Sequence, residues 1–207
     1  MAKHQAERET FILMGARLAS MNLFNPSAYE KDKDPEYFVR VLLDKGSAEE
    51  KQVVDAVRSL YERAWPADAK VAYKKAKAAN RILLHDGDEQ ADKDGFDETV
   101  VYMNASTKEE PTIVGRDRKR VKEQNNVFYP GCYVNLKVQL YTWENVKGRG
   151  VGCDFLGIQF SKDGDALETS GGGATAAPED VPLIEEEGEA GSDWAEGDAE
   201  EDDDSWN

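Results

Sequence analysis

Apolar and polar residues alternate strictly from Cys132 to Trp143. Cys132, Val134, Leu136, Val138 and Leu140 occupy one set of positions; Tyr133, Asn135, Lys137, Gln139, Tyr141 and Trp143 occupy the other. Successive side chains of a strand point to opposite faces, so this pattern predicts a strand with one buried face. Residues 10–21 form a mostly apolar run interrupted by Arg17, and residues 37–43 set Val39, Val41 and Leu43 against Phe38, Arg40 and Leu42, predicting two more strands. Residues 99–104 predict another, with Tyr102 facing away from Val101 and Met103, and residues 151–160 a last one, whose weaker alternation implies cover on both faces. Between the alternating strand and this last one, residues 144–150 read as a hairpin-like turn, and Gly148, Gly150 and Gly152 of this connection read as turn glycines.

Helical spacing is confined to the middle of the chain. Ser47 and Glu50 form a capping box, and Val53, Val57, Leu60, Tyr61 and Ala64 then recur on one face, predicting a helix over 48–64. Beyond Pro66 a second helical stretch is expected, along which Lys70, Lys74, Lys77 and Arg81 make a basic stripe that is a candidate contact for nucleic-acid phosphates; an ordinary solvated face is the alternative. Five strands with a helical insert predict a mainly β fold, a small barrel of the oligonucleotide-binding type, with an open α+β sheet as the alternative.

Composition divides the chain in two. Of its 42 acids, 17 lie in residues 163–207, which contain none of the 26 bases, so residues 1–162 hold 25 acids against 26 bases and are nearly neutral. The predicted organisation is a globular domain over 1–162 and an acidic tail over 163–207 that cannot bury enough surface to fold alone and is expected to be disordered. Solubility is the plainest role for such a tail, but Trp194 and Trp206 within it are residue types that anchor interfaces. No apolar run approaches membrane-spanning length, the N-terminus has no signal-peptide pattern, and two cysteines are too few for a disulfide framework. A cytoplasmic chain with reduced thiols is expected.

The candidate chemistry is that of binding. No P-loop or dinucleotide fingerprint occurs, and His4 and His85 lie near no catalytic or metal-binding motif. The acidic stretch after Asp86 lacks the first and last ligands of a calcium loop, so neither metal nor cofactor is expected. The polar face of 132–143 instead combines rings, amides and a cation in Tyr133, Asn135, Lys137, Gln139, Tyr141 and Trp143, as an unpaired nucleic-acid strand requires; cross-strand packing is the alternative. Tyr102, Arg17 and Arg40 join this candidate surface, as do Phe24 and Tyr29 on the expected loop between the first two strands. Arg116, Arg118, Lys119 and Arg120 are a dense cluster suited to phosphates, or else a solvated loop.

Four short motifs bring these features together: Asp86-Gly87-Asp88, Asn104-Ala105-Ser106 ahead of Pro111, Tyr129-Pro130-Gly131-Cys132 entering the alternating strand, and Lys147-Gly148. With the acidic tail and its penultimate Trp206, the chain resembles the single-stranded DNA-binding proteins of tailed bacteriophages over roughly residues 8–165. The resemblance implies an oligonucleotide-binding barrel that coats single-stranded DNA without sequence preference during replication or recombination, in the cytoplasm of the infected host. It also implies recruitment of a polymerase, helicase or primase through the tail, with Trp194 and Trp206 as contacts, and competition between tail and DNA. Duplex binding and self-association on DNA are left open. The helical block departs from the usual barrel plan, in which a helix follows the third strand. An acidic-tailed chaperone or scaffold that binds basic proteins is the competing class, separated from the first by whether a tail-less body still binds single strands.

Overall fold

The computed structural model describes residues 5–28 and 33–168. Four long strands meet side by side: β1 (Arg8–Ser27), β2 (Glu36–Asp44), β6 (Tyr133–Asn145) and β7 (Gly148–Lys162). With β3 (Leu84–Asp86), β4 (Val100–Thr107) and β5 (Thr112–Val114) they form one sheet of order β3-β4-β2-β1-β6-β7-β5. Every pairing is antiparallel except β5 with β7. Packing of β4 against β7 rolls the sheet into a barrel, although the two share no ladder hydrogen bonds among the described residues. The order β4-β2-β1-β6-β7, with this open seam, is that of a partly open oligonucleotide-binding barrel. Among the described residues seven strands stand where five were expected; the additions, β3 and β5, have three residues each and are too short to show a period.

Alternation dictates the interior. Leu13, Val39, Val41, Met103, Val134, Leu136, Val138, Leu140 and Phe155 point inward and are essentially inaccessible. Each large side chain buried this completely contributes about 1.5–3 kcal/mol. Helix α1 (Ala48–Ala64) adds Val53, Val57 and Leu60 to that core. Its start is capped as the sequence predicts: Glu50 N–H donates to Ser47 Oγ at 3.1 Å, and Gly46 N–H donates to the Glu50 carboxylate. Helix α2 (Ala69–Ala78) stops where Asn80 takes a left-handed conformation (φ 52°), so Arg81 lies beyond the helix and does not continue its basic stripe.

Part of the barrel's exterior is also covered. Ala19, Leu42 and Tyr102 face outward, but Phe96 and Leu167 lie over them. Residues 163–168, assigned from sequence to the tail, are held to the body: Leu167 N–H donates to the Pro130 carbonyl at 2.9 Å and the Tyr129 hydroxyl to the Gly164 carbonyl at 3.1 Å. Gly131 (φ 107°) sits beneath this segment, where a Cβ would stand 2.0 Å from the Asp165 carbonyl oxygen. Among the described residues, no helix is long and apolar enough to cross a membrane.

Candidate nucleic-acid interface

The site begins with strand register. Pairing of β2 with β4 sets Phe38 opposite Ser106 and Arg40 opposite Asn104, all on the outward face. Arg40 Nε donates to Asn104 Oδ1 at 2.7 Å and its Nη1 to Gln90 Oε1 at 3.1 Å, while the guanidinium lies 5.2 Å from the Tyr102 ring centroid and 6.0 Å from that of Phe38. This fork is therefore oriented before any ligand arrives, which spares the ordering entropy of a free arginine. His85, opposite Tyr102 in the β3–β4 pair, stacks on that ring at 5.0 Å and 19°.

These residues border a groove of about 260 Å³ along the β4–β7 seam, lined by Phe38, His85, Asn104 and Ser106 on one side and by Tyr141 and Gly152 on the other. Tyr141 faces Gly152 across the β6–β7 ladder, where a Cβ would lie 2.5 Å from Tyr141 Cζ. The ring thus occupies the space a side chain would have taken. Gly150 receives Trp143 in the same way, with a hypothetical Cβ 2.4 Å from Cζ2. Both glycines lie inside β7 and not in a turn, which corrects the sequence reading: they are clearances for cross-strand rings.

Burial pushes the Tyr141 phenol above its ordinary pKa, so it remains a neutral ring. Asp154, two residues beyond Gly152, is also raised, first by burial and then by Glu36 and Glu109, against the opposing effect of Arg8. The polar groups and rings that line the groove are thus an amide, a hydroxyl, an imidazole and two rings, with the Arg40 guanidinium bonded to the Asn104 amide.

The other predicted residues are dispersed. Tyr102 is only 5% exposed beneath Phe96 and Leu167 and offers no free face, contrary to its assignment to an open surface. Phe24 is not on a loop: it lies within β1 and packs against the core. On the outward face of β6, Asn135 and Gln139 are engaged across strands, Asn135 accepting from Gly15 N–H and Gln139 from Arg8. Tyr133 lies under Lys162, whose Nζ is 4.3 Å from its centroid, and Lys137 is exposed opposite Ile12. Arg17 Nη2 donates to the Asp165 carbonyl at 3.0 Å. In the basic loop, Arg116 donates to the Ser161 carbonyl and Lys119 pairs with Asp117 at 3.1 Å, while Arg118 and Arg120 are exposed. Arg81 donates to the Lys147 carbonyl, and Lys70, Lys74 and Lys77 are exposed on α2. Tyr29, Trp194 and Trp206 lie outside the described residues. Phe38, His85, Asn104 and Ser106 were not singled out from sequence as contacts; the alternation that puts Phe38 beside Arg40 was the available signal.

A family model described as Enterobacter phage Enc34, ssDNA-binding protein, matches residues 9–190. Protein p50 of Acyrthosiphon pisum secondary endosymbiont phage 1 is 31% identical over 180 residues, spanning 84% of this chain and 95% of its own. Among solved structures, the single-stranded DNA-binding protein from bacteriophage Enc34 in complex with ssDNA superposes with a TM-score of 0.59 at 18% identity, covering 76% of this chain and 88% of that one. Another structure of the Enc34 protein gives 0.56 at 18% identity, covering 83% and 88%. At such identity these superpositions establish a shared fold.

Proposed function

Since the chain belongs to the single-stranded DNA-binding protein family of Enterobacter phage Enc34, we propose that it coats single-stranded DNA in the infected host's cytoplasm during phage replication or recombination, acting by binding alone. The observation that carries this reading is the seam groove, where Phe38 and Tyr141 flank Asn104 and Ser106 beside the pre-set Arg40 guanidinium. Bases stack on flat rings whatever their identity, and a fixed cation meets the backbone, so recognition is independent of sequence. The face formed by the second and third strands of such a barrel is also the one this architecture offers to oligonucleotides. Lys137 and the exposed Arg118 and Arg120 add long-range attraction for phosphates. The acidic segment competes with DNA for the body and recruits replication proteins through Trp194 and Trp206.

The test is titration of fluorescent oligothymidylate with the full chain and with Phe38→Ala, Tyr141→Ala and Arg40→Gln. Each ring that stacks a base should cost about 1–3 kcal/mol on truncation. Unchanged affinity in all three variants, with their melting curves intact, rules the groove out.

A further inference from the structure

We propose that the channel between α1 and α2 is a second single-stranded DNA subsite, continuous with the seam groove. The inference rests on the seam reading and extends it to the helical block that the ordinary barrel plan lacks. The channel has a volume of about 470 Å³, and Ile82 and Leu83 line both it and the seam groove, so a strand leaving Phe38 and His85 passes directly onto it. Its walls are apolar and accessible: Val54 is 37% exposed and Tyr73 40%. Tyr73 meets Tyr61 edge to face, with centroids 5.5 Å apart and planes at 87°, which fixes its ring while part of it remains open to solvent. Burial and the neighbouring Tyr73 push the Tyr61 phenol up to about 12, so this ring stays uncharged.

Along one side of the channel run Lys70, Lys74 and Lys77, spaced by four and three residues on one face of α2. No carboxylate lies within ion-pair distance of any of the three among the described residues, and Glu62 is the only acid lining the channel. Seven residues of helix place these ammoniums along about 10 Å. A row of unpaired cations beside an apolar trough with an exposed ring is the complement of a single strand, which presents phosphates along one edge and unstacked bases along the other. The occupant is therefore DNA continuing from the seam.

The experiment uses the full chain and oligothymidylates from a length that spans only the seam up to one that spans both sites. For Lys70→Gln/Lys74→Gln/Lys77→Gln, the slope of log affinity against log salt should fall by roughly 0.7 per lost phosphate contact on long oligomers and stay unchanged on short ones. Tyr73→Ala leaves the charge untouched; it should weaken long oligomers by about 5-fold or more and shorten the length at which affinity saturates. An unchanged slope and saturation length in the triple variant overturns the subsite, as does a Tyr73→Ala protein that binds long oligomers like wild type. That second result would reduce the lysines to non-specific attraction, and either result would return the channel to a protein-docking role. Failure of wild type to bind short oligomers would sink the seam reading itself, so the two failures are told apart.

Discussion

Gly152 and Gly150 occupy equivalent positions two residues apart on β7, each under an aromatic ring from β6. They differ in what the ring faces: Tyr141 lines the seam groove, whereas Trp143 lies outside it, toward the β6–β7 turn. A methyl group at either position would meet its ring at a separation no unstrained contact allows, and relief requires turning the ring at a cost of about 1–3 kcal/mol. Gly152→Ala should therefore lower both the melting temperature and the affinity for single strands, whereas Gly150→Ala should lower stability to a similar extent and largely spare affinity. Calorimetry paired with oligothymidylate titration separates the two, and equal losses of affinity would show that both rings contact DNA. The two thiols are bystanders at this scale, since Cys132 and Cys153 are buried and unpaired, and burial pushes both above their ordinary pKa.

On β7 itself, Asp154 carries an ionisation that the fold opposes. Its folded pKa exceeds the unfolded value of about 3.9, so the native state holds this proton more tightly than the unfolded chain does. Ionisation then costs stability, fully above the folded pKa, partly between the two values and not at all below the unfolded one. Asp154→Asn, which mimics the protonated form, should raise the melting temperature at neutral pH, with the gain shrinking as pH falls and gone in strong acid. A gain independent of pH would assign the effect to packing. Removing this charge, two residues from the groove-lining Gly152, should also strengthen single-strand binding at neutral pH. Strands and helices are the features most legible in the sequence. Alternation identified β6 and its buried face because one side of that strand is wet, and the Ser47–Glu50 box located the start of α1 because capping is local chemistry. The seam groove was hidden for the opposite reason: it arises from the register of Arg40 with Asn104 and the approach of β4 to β7, pairings between residues far apart in the chain. Tyr102 was assigned to the correct face, but the cover supplied by Phe96 and Leu167 is a tertiary feature that no local period encodes.

For the whole molecule the decisive quantity is the separation of charge. A body with 25 acids and 26 bases has only local cationic features with which to attract DNA, and in the proposed function the 17 further acids on the same chain act as a competing polyanion at fixed stoichiometry. Cutting after Lys162, as charge alone would suggest, also removes Leu167 from its contacts with Leu42, Phe96 and Tyr102 and so confounds stability with binding. Ending the chain after Glu168 keeps that packing and removes 14 of the 17 acids, leaving Asp163, Asp165 and Glu168. The shortened chain should melt at the same temperature and bind oligothymidylate more tightly at low salt. The advantage should shrink as salt rises, because the contacts of both polyanions with the body are screened. Since the competitor is part of the chain, the ratio of affinities should not depend on protein concentration. Trp206→Ala in the full chain should bind DNA as wild type does and lose only recruitment of a replication partner. Equal affinities of the full-length and shortened chains at low salt would remove competition from the account, leaving the acidic segment as a docking or solubility element and placing control of DNA binding in the barrel and its helices.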